Sequence, residues 1–235
     1  MANLINQREE IVFKHKKRLL HLVPLASLML WTGSSSAAMV ELAVNGDFES
    51  GDFTGWTQFP SAGTTQTVTT VNPASGDYAG NLNIPLGAGA VNNVLKQANL
   101  AAGLLTAGQT VSVSFDVRGS LGVGGVLFAE NFSELTGGGV SSNDLKVVNG
   151  SINGNPDVWT NYSYNTILGP DVSGGFTLQL AAVCGADAGC FTDLYFDNVS
   201  VQADVVPIPA AVWLFGSGLG LLGWMRRRVS GSVTS

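Results

Sequence analysis

The central part of this 235-residue sequence predicts an all-β fold, an antiparallel β-sandwich. Three observations carry that reading. Apolar and polar residues alternate with period two in several short segments, Gly, Pro, Asn and Ser clusters separate those segments, and only residues 92–105 offer a competing short helix. In residues 110–118, Val111, Val113, Phe115 and Val117 share one face, while Ser112, Ser114, Asp116 and Arg118 share the other. That is a strand with one dry and one wet side. Residues 175–180 repeat the pattern, with Phe176, Leu178 and Leu180 inward. The Thr/Val-rich stretch 65–71 and the segments 125–129, 159–167 and 194–201 are the further strands. Asn72-Pro73-Ala74-Ser75-Gly76 and Asn153-Gly154-Asn155-Pro156 are the turns between them. About 165 residues suffice for one core, so a single body domain is expected over 39–204.

The two ends differ in kind from the body. Only 12% of the chain is charged and the net charge is −6. Of eleven Lys and Arg, five precede residue 19 and three are Arg226, Arg227 and Arg228. Lys96, Arg118 and Lys146 are the three cations of the middle, residues 39–205, against fifteen carboxylates, which leaves −12. Such a surface excludes nucleic acid as a partner, because phosphate binding needs basic side chains. At the N-terminus, Lys14-His15-Lys16-Lys17-Arg18 precedes an apolar run from Leu19 to Trp31, and Ser34-Ser35-Ser36-Ala37-Ala38 follows. Cationic, apolar and small-residue regions in that order predict a secretory signal peptide over 1–38, cut after Ala38. The apolar run of about 13 residues is short for a span, which needs about 20.

At the C-terminus, Val206-Pro207-Ile208-Pro209 opens an apolar stretch, 210–225, closed by the three arginines. Pro209 suits the first turn of a helix. The arginines predict that the tail, 230–235, stays cytoplasmic while the body lies across the membrane. Residues 205–229 resemble the PEP-CTERM sorting signal of Gram-negative bacteria: a Val-Pro-x-Pro-Ala-Ala motif, a Trp-Leu-Phe-Gly-Ser-Gly helix and an Arg-rich stop coincide in order. Ile208 stands where the eponymous motif has Glu. The resemblance implies an exosortase as processing partner, acting near Pro207–Pro209. It also implies transient anchoring by a transmembrane helix and export to the cell surface or an extracellular polysaccharide matrix.

The chemistry open to the body is narrow. Both histidines, His15 and His21, fall in the expected signal peptide. Serine-triad, Cys–His and zinc-hydrolase schemes therefore lack their base or ligand. Cys184 and Cys190, in an exported chain with an even cysteine count, read as a disulfide. Carboxylate-only glycoside hydrolysis remains, which needs two acids about 5–9 Å apart. Glu130 and Glu134 read as part of a polar loop beside Gly137-Gly138-Gly139, so a non-catalytic body is expected.

A second resemblance spans residues 41–202. Asn45-Gly46-Asp47-Phe48-Glu49, Gly51-Asp52-Phe53-Thr54-Gly55-Trp56, Ser75-Gly76-Asp77-Tyr78-Ala79, Trp159-Thr160-Asn161-Tyr162-Ser163 and Leu194-Tyr195-Phe196-Asp197-Asn198-Val199-Ser200-Val201 follow in order. The succession is similar to the galactose-binding-like jelly roll, especially carbohydrate-binding modules of families 4 and 9. Simple alternation back from Val199 and Val201 directs Asp197 and Tyr195 inward, and an inward carboxylate needs a partner. The resemblance implies a structural Ca²⁺ held by Glu49 and Asp197, with oxygens from Asp47 and Asp77. The alternative is that Asp197 accepts backbone hydrogen bonds. The resemblance further implies a polysaccharide partner. Asp116, Arg118, Tyr162, Tyr164 and Gln179 are the ligand-binding candidates, with Gln179 expected beside the wet face of 110–118. Trp56 and Trp159 read as core.

Overall fold

The computed structural model describes residues 38–152 and 154–205, together with 216, 217, 219 and 220. The N-terminal part of the expected signal peptide, the sorting motif Val206, Pro207, Ile208 and Pro209, the stop Arg226, Arg227 and Arg228, and the 230–235 tail lie outside the described residues. Of the expected 210–225 helix four residues are described, and these are helical and exposed. Among the described residues no helix is long and apolar enough to cross a membrane.

Eleven strands follow in order: β1 (Ala38–Glu41), β2 (Thr57–Pro60), β3 (Thr65–Thr69), β4 (Ala79–Ile84), β5 (Val91–Leu100), β6 (Thr110–Leu121), β7 (Gly125–Glu134), β8 (Val140–Val147), β9 (Thr160–Ile167), β10 (Gly175–Cys184) and β11 (Thr192–Val205). One sheet runs β3-β4-β11-β6-β9, with β1 also on β11; the other runs β2-β5-β10-β7-β8. All pairings are antiparallel. β11 is long enough to take two neighbours on one side, β4 against Thr192–Phe196 and β1 against Gln202–Val205.

The inner faces follow the period of two. Val111, Val113, Phe115 and Val117 of β6 meet Leu194, Phe196 and Val201 of β11 in the core, and Phe176, Leu178 and Leu180 of β10 join from the opposite sheet. Each such side chain contributes roughly 1.5–3 kcal/mol when fully buried. Residues 91–100 form a strand, not a helix. Leu95 faces the core. Asn93 and Gln97 share its inward phase and are satisfied there, Gln97 Nε2 donating to the Val44 carbonyl and Asn93 Nδ2 to those of Thr65 and Asn83. Those inward amides blur the alternation, which is why the sequence left a helix open.

Glu130 and Glu134 lie in β7, not in a loop. Trp56 is in the core, but Trp159 sits outside it, just before β9. The Cys184–Cys190 disulfide is formed and closes the loop after β10.

Candidate functional site

Register across the five-stranded sheet arranges its outer face in rows. Ala181 of β10 stands opposite Val94 of β5 and Phe128 of β7. Val94 in turn faces Phe59 of β2, and Phe128 faces Val147 of β8. Their chain neighbours Leu95, Leu180 and Leu127 fill the core, so these five point outward. An apolar row, Phe59–Val94–Ala181–Phe128–Val147, therefore crosses the whole sheet. Phe59 and Val147 at its ends are exposed, Phe128 is half-buried, and Val94 and Ala181 between them are buried beneath their neighbours.

Two residues along the strands lies a row of different character, Thr57–Lys96–Gln179–Glu130–Leu145. Gln179 Nε2 donates to Glu130 Oε2 at 2.5 Å. Beyond it come Thr177 and Phe132, again opposite one another. Thr177 Oγ1 donates to Glu134 Oε1 at 2.8 Å, and Lys96 Nζ lies 3.8 Å from the same oxygen. Lys96 Nζ is also 5.8 Å from the centre of the Phe132 ring. At this end the face opens into a groove of about 630 Å³ lined by Lys96, Asn99, Glu134, Thr136, Gly138 and Ser173. At the other end a depression of about 410 Å³ is lined by Ser61, Asn92 and Val183 among others. An apolar strip beside amide, hydroxyl and carboxylate groups can meet a ligand that has both apolar and hydrogen-bonding faces.

The sequence candidates divide between different places. Gln179 is in this site, on the opposite sheet from Asp116 and Arg118, so it does not lie beside the wet face of β6. Asp116 is outward on β6, accepting hydrogen bonds from Asn161 Nδ2 and Asn198 Nδ2. Beside it a groove of about 380 Å³ carries Ser112, Ser114, Ser163, Asn165, Ser200 and Gln202. Arg118 is not offered to a ligand: it is 3% exposed. Its guanidinium donates to the carbonyls of Val71, Asn72 and Pro156, and stacks 3.7 Å from the Tyr195 ring centre and 5.2 Å from that of Trp159. Tyr162 and Tyr164 share one phase, as expected, but that phase faces inward, against the core. Tyr164 Oη donates to Asn131 Oδ1 on the opposite sheet, and burial raises its hydroxyl's pKa above the ordinary tyrosine value.

The inward phase expected for Asp197 and Tyr195 fails for a physical reason. Phe196 pairs with Val117 and Val201 with Val113, so β11 holds one residue more than β6 between these points. The bulge sits at Asn198, whose φ of 49° is a conformation Asn tolerates better than most residues. Phe196 therefore faces the core while Tyr195 and Asp197 face out. Asp197 is still fully buried, because the 72–78 loop covers it. Its Oδ2 accepts from the N–H groups of Ala74 and Ser75, and its Oδ1 from that of Asn198. Desolvation pushes its pKa upward, while those bonds oppose the shift and the neighbouring Asp116 adds to it. Glu49 holds the other end of the same loop, its Oε1 accepting from the N–H groups of Asp77 and Tyr78. Gly76, at φ 60°, lets the loop pass so close that a Cβ there would collide with the Glu49 carboxylate.

Of the expected calcium ligands, Glu49 and Asp197 hold this loop, Asp77 lies in it, and Asp47 accepts from the N–H of Glu49. Three of the four carboxylates, those of Asp47, Glu49 and Asp197, already accept backbone N–H groups, and among the described residues no three Asp, Glu, His or Cys side chains converge. Glu49 Oε2 remains as an oxygen facing no backbone donor.

As members of this face, Lys96, Phe128, Glu130, Phe132 and Glu134 were not singled out by the sequence reading, which weighed Glu130 and Glu134 only as a catalytic pair in a loop. The signal was there in residues 125–134, where Phe128, Glu130, Phe132 and Glu134 alternate with Leu127, Ala129, Asn131 and Ser133. The polar inward Asn131 and Ser133 hid it.

The fold defines the class of the body as a two-sheet antiparallel β-sandwich. No protein-family profile and no curated protein sequence matches the chain. Among solved structures it is similar to the enzymatically active domain of bacteriophage CBA120 tailspike protein 4, at 14% identity and a TM-score of 0.50. That match covers 69% of this chain and 21% of the tailspike chain, so this chain spans about a fifth of it. The carbohydrate-binding module TmCBM61, solved with β-1,4-galactotriose, is 18% identical at a TM-score of 0.46, covering 70% of this chain and 99% of that one. The CBM22-1 xylan-binding domain of Paenibacillus barcinonensis Xyn10C is 13% identical at 0.46, covering 74% and 99%.

Proposed function

We propose that the body is a non-catalytic carbohydrate-binding domain whose ligand lies on the outer face of the β2-β5-β10-β7-β8 sheet. The apolar row Phe59–Val94–Ala181–Phe128–Val147 beside Lys96, Gln179 and Glu130 carries this reading. The non-catalytic part rests on how the acids are placed. Glu130 and Glu134 lie on one strand rather than across a cleft, and each is already held, Glu130 by Gln179 and Glu134 by Thr177 and Lys96. Asp116 and Asp197 are cross-strand neighbours, but Asp197 is sealed from any substrate.

The sequence of the two ends supports the rest of the reading. The chain is exported by its N-terminal signal, held by its C-terminal helix, processed by an exosortase and retained at the cell surface or in extracellular polysaccharide. Retention of the purified protein on immobilised polysaccharide, weakened in Phe128→Ala, tests the binding function. Equal retention of the variant would move the site elsewhere, and no retention of either would leave a surface protein without sugar affinity. Cell fractionation with mass measurement of the product tests export and processing; an untrimmed cytosolic chain contradicts both.

Calcium is proposed with it, Glu49 and Asp197 holding the ion and Asp47 and Asp77 supplying further oxygens. It would supply charge compensation for the buried carboxylate. A calcium-dependent rise in melting temperature, abolished in Glu49→Ala, is the expected result; identical melting with calcium and with chelator removes the ion.

A further inference from the structure

Every charge on the proposed face is already answered within the protein. Lys96 is its one cation among the described residues, 3.8 Å from Glu134 and beside the Phe132 ring. Glu130 accepts from Gln179, and Glu134 also accepts from Thr177. The groove at one end adds Asn99, Thr136 and Ser173, and the depression at the other adds Ser61 and Asn92, none of them charged. Two carboxylates against one ammonium leave the face negative by one charge.

The other two body cations offer an anion nothing. Arg118 is buried on the opposite sheet under Tyr195 and Trp159. Lys146 is 3.0 Å from Asp144, on the side of β8 turned away from this face. Around them, residues 39–205 carry −12. A polyanion approaching such a body meets repulsion at long range, most strongly at low salt, and finds no unpaired donor cation on contact.

We infer that this face selects electroneutral glycans and rejects uronate-rich or otherwise anionic polysaccharides. The inference rests on the proposed binding face and adds its substrate class. Hydroxyl groups of a neutral chain can bond to Gln179, to the free lone pairs of Glu130 and Glu134, and to the groove amides without breaking the Lys96–Glu134 pair. A ligand carboxylate would have to displace Glu134 from Lys96 and leave that acid half-buried beside a second anion.

Matched polymers that differ only in charge give the test. The full-length protein, kept in a non-glycosidic detergent, is run by affinity electrophoresis through two pairs: hydroxyethylcellulose with carboxymethylcellulose, and methyl-esterified with de-esterified pectin. Each is measured at 10 mM and 300 mM NaCl. The expected result is retardation by the neutral member of at least one pair, changing less than twofold with salt. Its anionic partner should retard at least tenfold more weakly at low salt, and the gap should narrow at high salt. Equal or stronger retardation by the anionic member, weakened by salt, overturns the selectivity while leaving the sugar-binding reading standing. Retardation by neither member of either pair counts against both.

Discussion

The two outer faces of the sandwich are built from the same strand geometry and spend their polar side chains differently. On the β3-β4-β11-β6-β9 sheet, Arg118 and Asp197 are turned outward and then roofed by the 71–78 loop. The cation binds that loop's carbonyls at Val71 and Asn72, and the anion binds its N–H groups at Ala74 and Ser75. Opposite charges grip opposite ends of the peptide dipoles, and Glu49 adds a third grip at Asp77 and Tyr78. On the β2-β5-β10-β7-β8 sheet, Lys96, Gln179, Glu130 and Glu134 pair with one another across strands and stay at the surface, next to an apolar row. Polarity that anchors a loop serves stability, whereas polarity left open beside apolar surface stays free to meet a ligand.

The largest expected effect breaks the first face. Arg118→Ala strips three carbonyls of their donor and two rings of their cation, so denaturant unfolding should show a loss of about 3 kcal/mol. Glycan retention by the molecules that remain folded should be unaltered, since the two sites share no residue. A loss of retention without a loss of stability would reverse the assignment of roles. Next in size is the bridge. Cys184→Ala with Cys190→Ala frees a short loop, and the melting curve should record a cost of about 2 kcal/mol. The same change should appear when wild type is melted in reductant.

Phe128→Ala sharpens the second face. Truncating a half-buried ring at the centre of a binding patch should weaken affinity about tenfold, roughly 1.4 kcal/mol, in a titration with a retained oligosaccharide. Its effect on stability should be the smaller of its two effects. Smallest is the pH response of Asp197. Its pKa is raised in the folded state, so its contribution is complete below the ordinary carboxylate value of 3.8 and is lost as pH rises through the folded value. The stability of wild type relative to Asp197→Asn should therefore fall as pH rises across that window and then level off. A difference that grows with pH would mean that the three N–H bonds outweigh desolvation.

The same contrast explains what could be read from the chain. Strands β3, β6, β9, β10, β11 and the start of β7 were legible, most clearly where inward residues are apolar and outward ones polar, as in Val111 to Arg118. β4 was not, since Asn81 and Asn83 alternate with Leu82 and Ile84 inside a Gly- and Asn-rich stretch that mimics a turn. β8 was hidden because Leu145 and Val147 face outward, an inversion of the usual sense. The disulfide was legible from count and compartment alone. Which side of a strand Asp197 occupies was not, because one extra residue at Asn198 reverses the alternation, and a bulge leaves only a left-handed Asn as its trace. The binding face needs registers among five strands, and no local pattern encodes which residues stand opposite Gln179.

Mapping backbone amide shifts of the isotopically labelled protein by NMR, while a neutral oligosaccharide is titrated in, tests the placement of the site most directly. Perturbations concentrated at Lys96, Phe128, Glu130, Phe132, Gln179 and Ala181 are the predicted result. Perturbations centred on Ser112, Ser114 and Asp116 of the opposite sheet, with β7 and β10 silent, would contradict it.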